Sequence, residues 1–586
     1  MRSDPPPASS SSNSTHHHEV LTIPKPQIPP LQVSPLHISP LQRLVQAEPH
    51  TPYPPDACEP ASPPSTSRRS FLQTGAITAA ALALAPRIPP ALAQTSSASP
   101  LVTTDLGTFR GQTLAEGIRA FRGIPFAQPP IGPLRFLPPV AFQAGIQAAT
   151  RDALSFGPPA MQPDQPDAAE DCLYLNVWAP PSGGPHPVFV WIHGGGYTGG
   201  RASEPVFEGS GFAREGIVLV TVAYRLGVFG FMDLSPLLGP AYADSANNAL
   251  RDLVLALRWV NSNISAFGGD PKCVTVGGES AGAKATAALM ALPEAQSLFH
   301  SAISESGGGE RVLTSPQAHD VASSFGELWR RDHPASSGAA GFDDLRTAPA
   351  HALIQTQQTL IAASAIHFPF RPQIANQAGA SLLPKRPVDL VAEGSARGKR
   401  LLLGTNRDES ALFLGPHPAA DPTASDLGNL ALSRFNEVFA RYAALYPDMP
   451  RPQLRVRAVT AEEYWVPSVR LADAHVRAGG SAWMYRLDFA PSTGRMAGEA
   501  FHAEDIDFVW NKLNKSEAGD PTAAPLAASI HAAWCAFIRG ETPAATGLPA
   551  WPEYNPNTRP TMILNTSSHV EQRPFDAELR LWDGVL

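Results

Sequence analysis

The chain has 586 residues, of which 43% are hydrophobic, so it is not wholly disordered and can form a core of several hundred residues. Its formal net charge of −8 gives no large basic face, which argues against a nucleic-acid partner. Four cysteines are too few for a disulfide scaffold, and the longest uncharged apolar run is about half of the ~20 residues that a membrane helix needs.

The first 66 residues differ in composition from the rest of the chain. They hold sixteen of the 62 prolines, together with Ser, Thr and Gln and almost no aromatic residues. Such a composition cannot build a packed core, so the sequence predicts a disordered extension over 1–66. Three histidines at 16–18 are interpreted as a solvated tail, and neither a metal nor a cofactor is predicted.

Residues 67–93 have the three parts of an export signal in order. Arg68 and Arg69 stand in the sequence Ser-Arg-Arg-Ser-Phe-Leu-Gln, and a weakly hydrophobic Ala-rich run follows at 75–85. Ala-Leu-Ala at 91–93 has the small-x-small pattern of a cleavage site. The segment resembles a twin-arginine signal peptide, which implies the twin-arginine translocase as a partner and a periplasmic or secreted location in a bacterium.

Cleavage after Ala93 would leave 94–586 as the mature chain, with no membrane anchor. The 66 residues before the arginines are more than such signals usually carry. A translation start downstream of Met1, for instance at the position of Val45, is the hypothesis that explains them.

From about residue 101 onward, short apolar runs alternate with longer periodic ones, which predicts an α/β fold with a mainly parallel sheet. Strands are predicted at 188–192, 217–224, 274–277, 302–304, 400–404 and 482–487, and helices at 248–261, 281–290, 467–478 and 526–539. On the first helix, Arg251, Asp252 and Arg258 are expected to face outward or to be capped. No linker divides the region, so we expect one large domain.

Two glycine-rich turns predict nucleophilic catalysis. His-Gly-Gly-Gly-Tyr at 193–197 ends an apolar strand and leaves N–H groups uncovered for a developing oxyanion. Gly-Glu-Ser-Ala-Gly at 278–282 lies between a strand-like run and an Ala-rich helical run, which is the setting of a nucleophile elbow with Ser280 at its turn. Ten histidines follow Ser280, so position alone does not identify its base.

Five motifs in one order resemble the type-B carboxylesterase and cholinesterase family of serine hydrolases. They are Phe-Arg-Gly-Ile-Pro-Phe-Ala at 121–127, Glu-Asp-Cys-Leu-Tyr-Leu-Asn-Val-Trp at 170–178, the region of the serine at 267–283, Gly-Thr-Asn-Arg-Asp-Glu at 404–409 and Phe-His-Ala-Glu-Asp at 501–505. The resemblance extends from residue 107 to about 551, nearly all of the mature chain. It implies an α/β-hydrolase fold and an enzyme that hydrolyses carboxylic esters of small molecules through an acyl-enzyme.

The resemblance also implies roles for individual residues. Ser280 would be the nucleophile, His502 its base and Glu409, rather than its neighbour Asp408, the acid that orients the base. If His502 fails as the base, His475 and His417 are the next candidates. The oxyanion hole would be formed by the N–H groups of Gly195, Gly196 and Ala281.

The substrate pocket is expected to be apolar. Its predicted residues are Tyr197, Glu279, Ile366, Phe368, Phe370, Leu412 and Phe413. Glu279 and Ser306 match family positions behind the triad. Arg371 is predicted to lie on the surface, with contact to a substrate carboxylate as the alternative. The Asp-Gly that the family usually has after this segment is replaced at 375–377.

Two departures from the family change what is expected of its disulfide bonds and its substrate. No cysteine precedes Cys172 in the mature chain, so Cys172, Cys273 and Cys535 are expected to be buried free thiols. The loop 158–169 has no tryptophan, which disfavours a choline ester. Two alternatives to ester hydrolysis stay open: the same triad acting on amides, carbamates or lactones, and a non-catalytic adhesion module.

Overall fold

The computed structural model describes residues 99–143, 150–334, 342–364, 366–374 and 382–585. The predicted N-terminal extension and signal peptide at 1–93 lie outside the described residues, as does the departure at 375–377.

A mixed sheet of eleven strands forms the centre of the described chain. The described strands are β1 Leu101–Thr104, β2 Gly107–Arg110, β3 Gln112–Thr113, β4 Arg119–Pro125, β5 Arg151–Asp152, β6 Tyr174–Ala179, β7 His186–Ile192, β8 Val218–Val222, β9 Gly269–Glu279, β10 Ser301–Glu305, β11 Leu313–Thr314, β12 Gln373–Ile374, β13 Arg400–Asn406, β14 Ser481–Leu487, β15 Pro560–Leu564 and β16 His569–Gln572. The large sheet has the order β16-β15-β14-β13-β10-β9-β7-β8-β6-β4-β3. Pairing is parallel from β15 through β8 and antiparallel at both edges, which confirms the prediction of a mainly parallel sheet.

Helices connect these strands and cover the sheet. The described α-helices are α1 Ser210–Arg214, α2 Gly227–Gly230, α3 Ser235–Leu238, α4 Asn248–Asn263, α5 Ala281–Ala291, α6 Ser315–Asp332, α7 Ala350–Ala363, α8 Pro387–Ala392, α9 Ala411–Leu414, α10 Leu432–Leu445, α11 Arg451–Thr460, α12 Val466–Arg477, α13 Glu504–Val509, α14 Lys515–Ala518, α15 Ala523–Ile538 and α16 Asp576–Leu579. A π-helical turn, Ala461–Trp465, joins α11 to α12. All four predicted helices and all six predicted strands are present, with ends shifted by a few residues.

The two faces of the sheet bury separate cores because side chains alternate along each strand. On β7, Val188 and Val190 belong to the larger core, whereas Phe189 and Trp191 belong to the smaller one. Buried residues of α4, α5 and α12 belong to the larger core, and those of α15 belong to the smaller core. Two hydrophobic layers therefore fix the position of the central parallel strands, whose carboxyl ends carry the site described below.

One surface prediction on α4 is wrong. Arg258 is exposed, but Asp252 is completely buried and accepts hydrogen bonds from the guanidinium of Arg225 at 2.8 and 2.7 Å. A charge at this position is compatible with burial because the ion pair and the Arg225 N–H bond replace its hydration. Periodicity places a side chain on a helix face, but it does not indicate a buried partner from a distant segment.

The thiols follow the prediction at two of three positions. Among the described residues, Cys172, Cys273 and Cys535 are free; Cys172 and Cys535 are buried, whereas Cys273 is half-buried. No helix in the described part of the chain has both the length and the apolar character needed to cross a bilayer.

Candidate active site

Ser280 lies at a sharp turn between β9 and α5. Its backbone has φ 54° and ψ −117°, a conformation that costs energy for a residue with a side chain. The turn is held by a 2.9 Å bond from the Ser280 N–H to the carbonyl of Glu305 on β10. A Cβ at Gly278 or Gly282 would collide with the carbonyl of Ile192 at the end of β7, so both positions require glycine. The geometry is that of a nucleophile elbow.

The loop after β7 brings free N–H groups next to this turn. Gly195 and Gly196 have φ values of 109° and 61°, which favour glycine. Within the described residues, neither N–H donates a hydrogen bond to the protein. A Cβ at Gly194 would lie 3.2 Å from the Cβ of Ser280, so the loop is directly beside the serine. The N–H of Ala281, the first residue of α5, lies next to Ser280 in the chain and belongs to the same opening.

His502 and Glu409 are brought together from segments 93 residues apart. Nδ1 of His502 lies 2.6 Å from Oε2 of Glu409, and both side chains are buried. The other carboxylate oxygen of Glu409 accepts bonds from Ser306 Oγ at 2.6 Å and from the Asn406 N–H at 2.8 Å. Because a carboxylate accepts hydrogen bonds, this contact places the imidazole proton on Nδ1 and leaves Nε2 as the basic nitrogen.

A second carboxyl group faces the other side of the imidazole. Nε2 of His502 lies 3.1 Å from Oε1 of Glu279, the residue that precedes the serine. Burial raises the pKa of Glu279 well above its usual value, and the charges of Asp505 and Glu409 raise it further. This shift favours the protonated form of Glu279, which avoids two negative charges on one imidazole.

The surroundings of His502 lower the pKa of its imidazole. Burial lowers the pKa of His502, and the hydrogen-bonded charge of Glu409 opposes this shift only in part. The imidazole packs against two rings, with centroid distances of 5.1 Å to Phe413 and 4.7 Å to Tyr464. At neutral pH it is thus held in the uncharged form that a general base needs.

Two of the predicted apolar pocket residues, Phe368 and Phe413, contact this centre. Phe368 contacts Phe413 edge to face at a centroid distance of 6.0 Å, and a Cβ at Gly196 would lie 2.6 Å from its ring. Ile366, Phe368, Leu412 and Phe413 are all half-buried. Phe368 and Phe413 therefore give an apolar, partly accessible wall beside the imidazole and the glycine loop.

Three expectations for this region are corrected. Phe370 is completely buried in the larger core, so it offers no surface to a substrate. The ring of Tyr197 is likewise buried and packs on Phe231 at a centroid distance of 4.3 Å, so it offers no surface to a substrate. Arg371 is only 2% exposed and donates to the carbonyls of Phe368 and Gly428 at 2.9 and 2.7 Å. Its guanidinium holds the loop in place and is neither on the surface nor free for a substrate carboxylate.

Within the part of the chain that the structure describes, the two alternative bases do not contact the carboxyl groups around His502. His417 is exposed, and His475 is buried on α12 with Nε2 3.0 Å from the carbonyl of Lys399. Neither has a contact with Glu409 or Glu279 in the described structure. Among the described residues, no group of three or more His, Cys, Asp or Glu side chains is arranged to hold a metal ion.

Sequence reasoning missed a buried charged cluster behind the imidazole, formed by Lys284, Arg311, Glu463 and Tyr464. Lys284 Nζ lies 3.2 Å from Oε1 of Glu463, and Arg311 contacts the other oxygen of that carboxylate. One signal was visible in the sequence: Lys284 is the only charged residue of the Ala-rich helix α5. A lone charge among small apolar residues, one turn after the serine, indicates a buried partner.

Comparison with known proteins places this geometry among related enzymes. The model of the Carboxylesterase family matches residues 98–582. The chain is 36% identical over 496 residues to a para-nitrobenzyl esterase of Bacillus subtilis (strain 168), covering 81% of this chain and 96% of the relative. It is 32% identical to a fumonisin B1 esterase of Sphingopyxis macrogoltabida, covering 79% and 86%, and 30% identical to a phenmedipham hydrolase of Pseudarthrobacter oxydans, covering 79% and 95%. A solved structure titled PNB esterase superimposes with a TM-score of 0.72 at 36% identity, covering 82% of this chain and 99% of that one.

Proposed function

This chain belongs to the carboxylesterase family and is a carboxylic ester hydrolase with the α/β-hydrolase fold. From that premise we propose that Ser280, His502 and Glu409 form its catalytic triad and that the reaction passes through an acyl-enzyme. The observation that carries the proposal is the 2.6 Å contact between His502 Nδ1 and Glu409, which leaves Nε2 unprotonated on the side of the imidazole where the serine turn lies. The presence of the serine, the acid, the histidine and the glycines together disfavours the alternative of a non-catalytic adhesion module.

Acylation starts with proton transfer from Ser280 to Nε2 of His502 as the serine oxygen attacks the ester carbonyl. The carbonyl oxygen becomes negatively charged and accepts hydrogen bonds from the N–H groups of Gly195, Gly196 and Ala281. His502 then returns the proton to the leaving alcohol, and the acyl group stays on Ser280. Water repeats the same steps on the acyl-enzyme and releases the carboxylic acid. Throughout, Glu409 fixes the imidazole tautomer and stabilises the transient imidazolium.

The apolar wall favours a substrate that carries a hydrocarbon or aromatic group. Phe368 and Phe413 are half-buried next to the glycine loop and the imidazole, so an apolar group placed there would leave water. The names of the relatives, which include a fumonisin B1 esterase and a phenmedipham hydrolase, differ in the compound that they specify. Carbamates, amides and lactones are therefore tested beside esters, since all need the same oxyanion stabilisation.

A nitrophenyl ester of a short acid tests the chemistry directly. We expect a burst of nitrophenol equal to the enzyme concentration when deacylation is the slower step. A serine-directed organophosphate should abolish turnover and leave its label on Ser280, as located by peptide mass spectrometry. A label on another residue, or full activity of Ser280→Ala, would overturn the proposal. Matched ester, carbamate and amide substrates would then rank the bond types.

Export is proposed on the sequence alone. The twin-arginine pattern of Arg68 and Arg69 supports recognition by the twin-arginine translocase and delivery to the periplasm or the medium. Arg68→Lys combined with Arg69→Lys is expected to retain the precursor in the cytoplasm of a bacterial host, as measured by fractionation and esterase assay. Cleavage after Ala93 predicts Gln94 as the mature N-terminus, and a different N-terminal residue would contradict it.

A further inference from the structure

Behind the imidazole, two cationic side chains share one buried carboxylate. Lys284, Arg311 and Glu463 are 6%, 5% and 3% exposed, and both cations contact Glu463. Burial of an ammonium group is expensive unless an anion and further contacts replace its hydration. The buried position of Lys284 therefore calls for an explanation, since the remaining residues of α5 are small or apolar.

Lys284 is coupled to the serine turn through the backbone. Its N–H donates a 2.9 Å bond to the carbonyl of Ser280, one helical turn away. Its side chain crosses to the π-helical turn Ala461–Trp465, where the ammonium lies 3.2 Å from Glu463 Oε1 and 4.7 Å from the centre of the Tyr464 ring. Neighbouring residues of one π-helical turn thus both contact the same cation, and such turns occur frequently at functional sites.

Tyr464 connects this cation to the base. Its ring is buried and packs on the His502 imidazole at 4.7 Å with an interplanar angle of 41°. The Lys284 ammonium, which lies over the same ring, is attracted by its π electrons and restricts the movement of the ring. The contacts form one continuous path from Glu463 through Lys284 and Tyr464 to His502.

We propose that Lys284 is a positioning residue for the base: held by Glu463, its ammonium fixes the Tyr464 ring, which in turn keeps the His502 imidazole oriented between Glu409 and the serine. The proposal rests on the proposed triad and adds to it a group outside the reacting atoms. Burial lowers the pKa of Lys284, so its ammonium form is most populated on the acid side of the pH profile, where its charge disfavours the imidazolium form of His502. The titratable or charged groups that face His502 are Glu409, Glu279, Tyr464, Lys284 and Arg311.

Lys284→Met removes the ammonium while an unbranched side chain fills the same space. We expect kcat per titrated active site to fall about tenfold, with KM within about twofold, because the base is less well oriented in every state. We also expect the acid limb of the kcat/KM profile to move to higher pH, since removing a positive charge raises the pKa of His502. Lys284→Arg keeps the cation and should recover both quantities. Unchanged kcat per site, or a loss that Arg does not rescue and that leaves the acid limb in place, would overturn the proposal.

Tyr464→Leu interrupts the same path at a different residue, which keeps the test available if Lys284→Met yields no soluble protein. Its kcat loss should equal that of Lys284→Met, and the double variant should lose no more than either single variant. Losses that add in the double variant would contradict a shared path.

Lys399→Met is the matched control. Lys399 also lies over an aromatic ring, with Nζ 4.2 Å from the centre of Phe299, and it donates to the carbonyls of Gln296 and Phe299 at 2.7 and 2.6 Å. Its loss is expected to leave kcat per active site and the acid limb unchanged, and a kcat loss like that of Lys284→Met would make the Lys284 effect non-specific and overturn the proposal. Organophosphate labelling of the wild-type enzyme separates the two proposals: no label on Ser280 rejects the triad, whereas a labelled Ser280 with an unaffected Lys284→Met variant rejects only the positioning role.

Discussion

The two sides of the His502 imidazole carry similar carboxyl groups in different environments. On the Nδ1 side, Glu409 receives hydrogen bonds from the imidazole, the Ser306 hydroxyl and the Asn406 N–H. On the Nε2 side, Glu279 lies 3.1 Å away, its Oε1 accepts no hydrogen bond within the described structure, and its pKa is raised well above the usual value. The hydrogen-bonding environment, rather than the residue type, separates the two roles.

This difference has a direct chemical consequence. A carboxylate that accepts three hydrogen bonds can stay charged in the interior and stabilise an imidazolium during the reaction. A buried carboxyl group without such donors keeps its proton instead. In the proposed mechanism, only the Glu409 side can then compensate the positive charge that develops on His502.

Removing the imidazole that both sides share should have the largest effect. We expect His502→Ala to lower kcat by about 10⁶, since the proton of Ser280 then has no acceptor. Steady-state kinetics on a nitrophenyl ester, corrected for contaminating esterase by the Ser280→Ala variant, measures this loss. Retention of most activity would redirect the search for the base to His475 or His417.

Replacing Glu409, on the Nδ1 side of the imidazole, should have the second-largest effect on kcat. Glu409→Gln keeps the shape of the side chain but removes its charge and can present an amide donor to Nδ1, which favours the wrong tautomer. We expect kcat to fall by about 10⁴. The measurement is kcat under saturating substrate, with the circular dichroism spectrum as the control for folding. A loss below tenfold would show that Glu409 is not the acid.

Ser306→Ala removes one of the three hydrogen bonds that the Glu409 carboxylate accepts. A bond to a charged group contributes about 1.5 kcal/mol, so we expect kcat to fall about tenfold. The loss should largely disappear in a Glu409→Gln background, where there is no longer a charge to stabilise. Equal losses in both backgrounds would contradict a role through Glu409.

The opposite side should be much less sensitive. Glu279→Gln replaces a neutral carboxyl group by a neutral amide of the same shape, so we expect kcat to change by less than about threefold. Comparison with Glu409→Gln under identical conditions sharpens the contrast. A loss as large as that of Glu409→Gln would mean that Glu279 is charged in the working enzyme.

The smallest expected effect concerns the dependence of kcat/KM on pH. Because burial lowers the pKa of His502, the base stays neutral, and kcat/KM should stay at its plateau, to a pH below about 6.5, the ordinary value for histidine. Activity falls only when the imidazole becomes protonated. Glu279→Gln should leave this acid limb in place, as determined from kcat/KM between acidic and neutral pH. A limb at or above the ordinary histidine value would contradict the lowered pKa.

Sequence reasoning succeeded where the signal was local. The alternation of strands and helices predicted the α/β fold, and the glycines of 278–282 predicted a strand–turn–helix with Ser280 at the turn, as the structure has it. Both depend on steric requirements within a few residues. The motif resemblance pointed to Glu409 and His502, which position along the chain alone could not select among ten histidines.

Predictions failed where burial depends on partners from elsewhere in the chain. Phe370 and Phe368 are two residues apart and equally apolar, yet only Phe368 is left half-buried beside the glycine loop. Arg371 was expected on the surface, but backbone carbonyls from two segments enclose its guanidinium. Hydropathy assigns a tendency to each residue and cannot say which distant groups will satisfy it.

The sequence by itself determined the kind of chemistry and the framework that holds it, because glycine turns, strand periodicity and the order of the motifs are properties of neighbouring residues. The tertiary structure alone decided the electrostatics: hydrogen-bond donors surround Glu409, burial raises the pKa of Glu279, and Lys284 lies over the Tyr464 ring that packs on His502. The physical reason is that desolvation and charge interactions depend on distances between segments that are far apart in the chain.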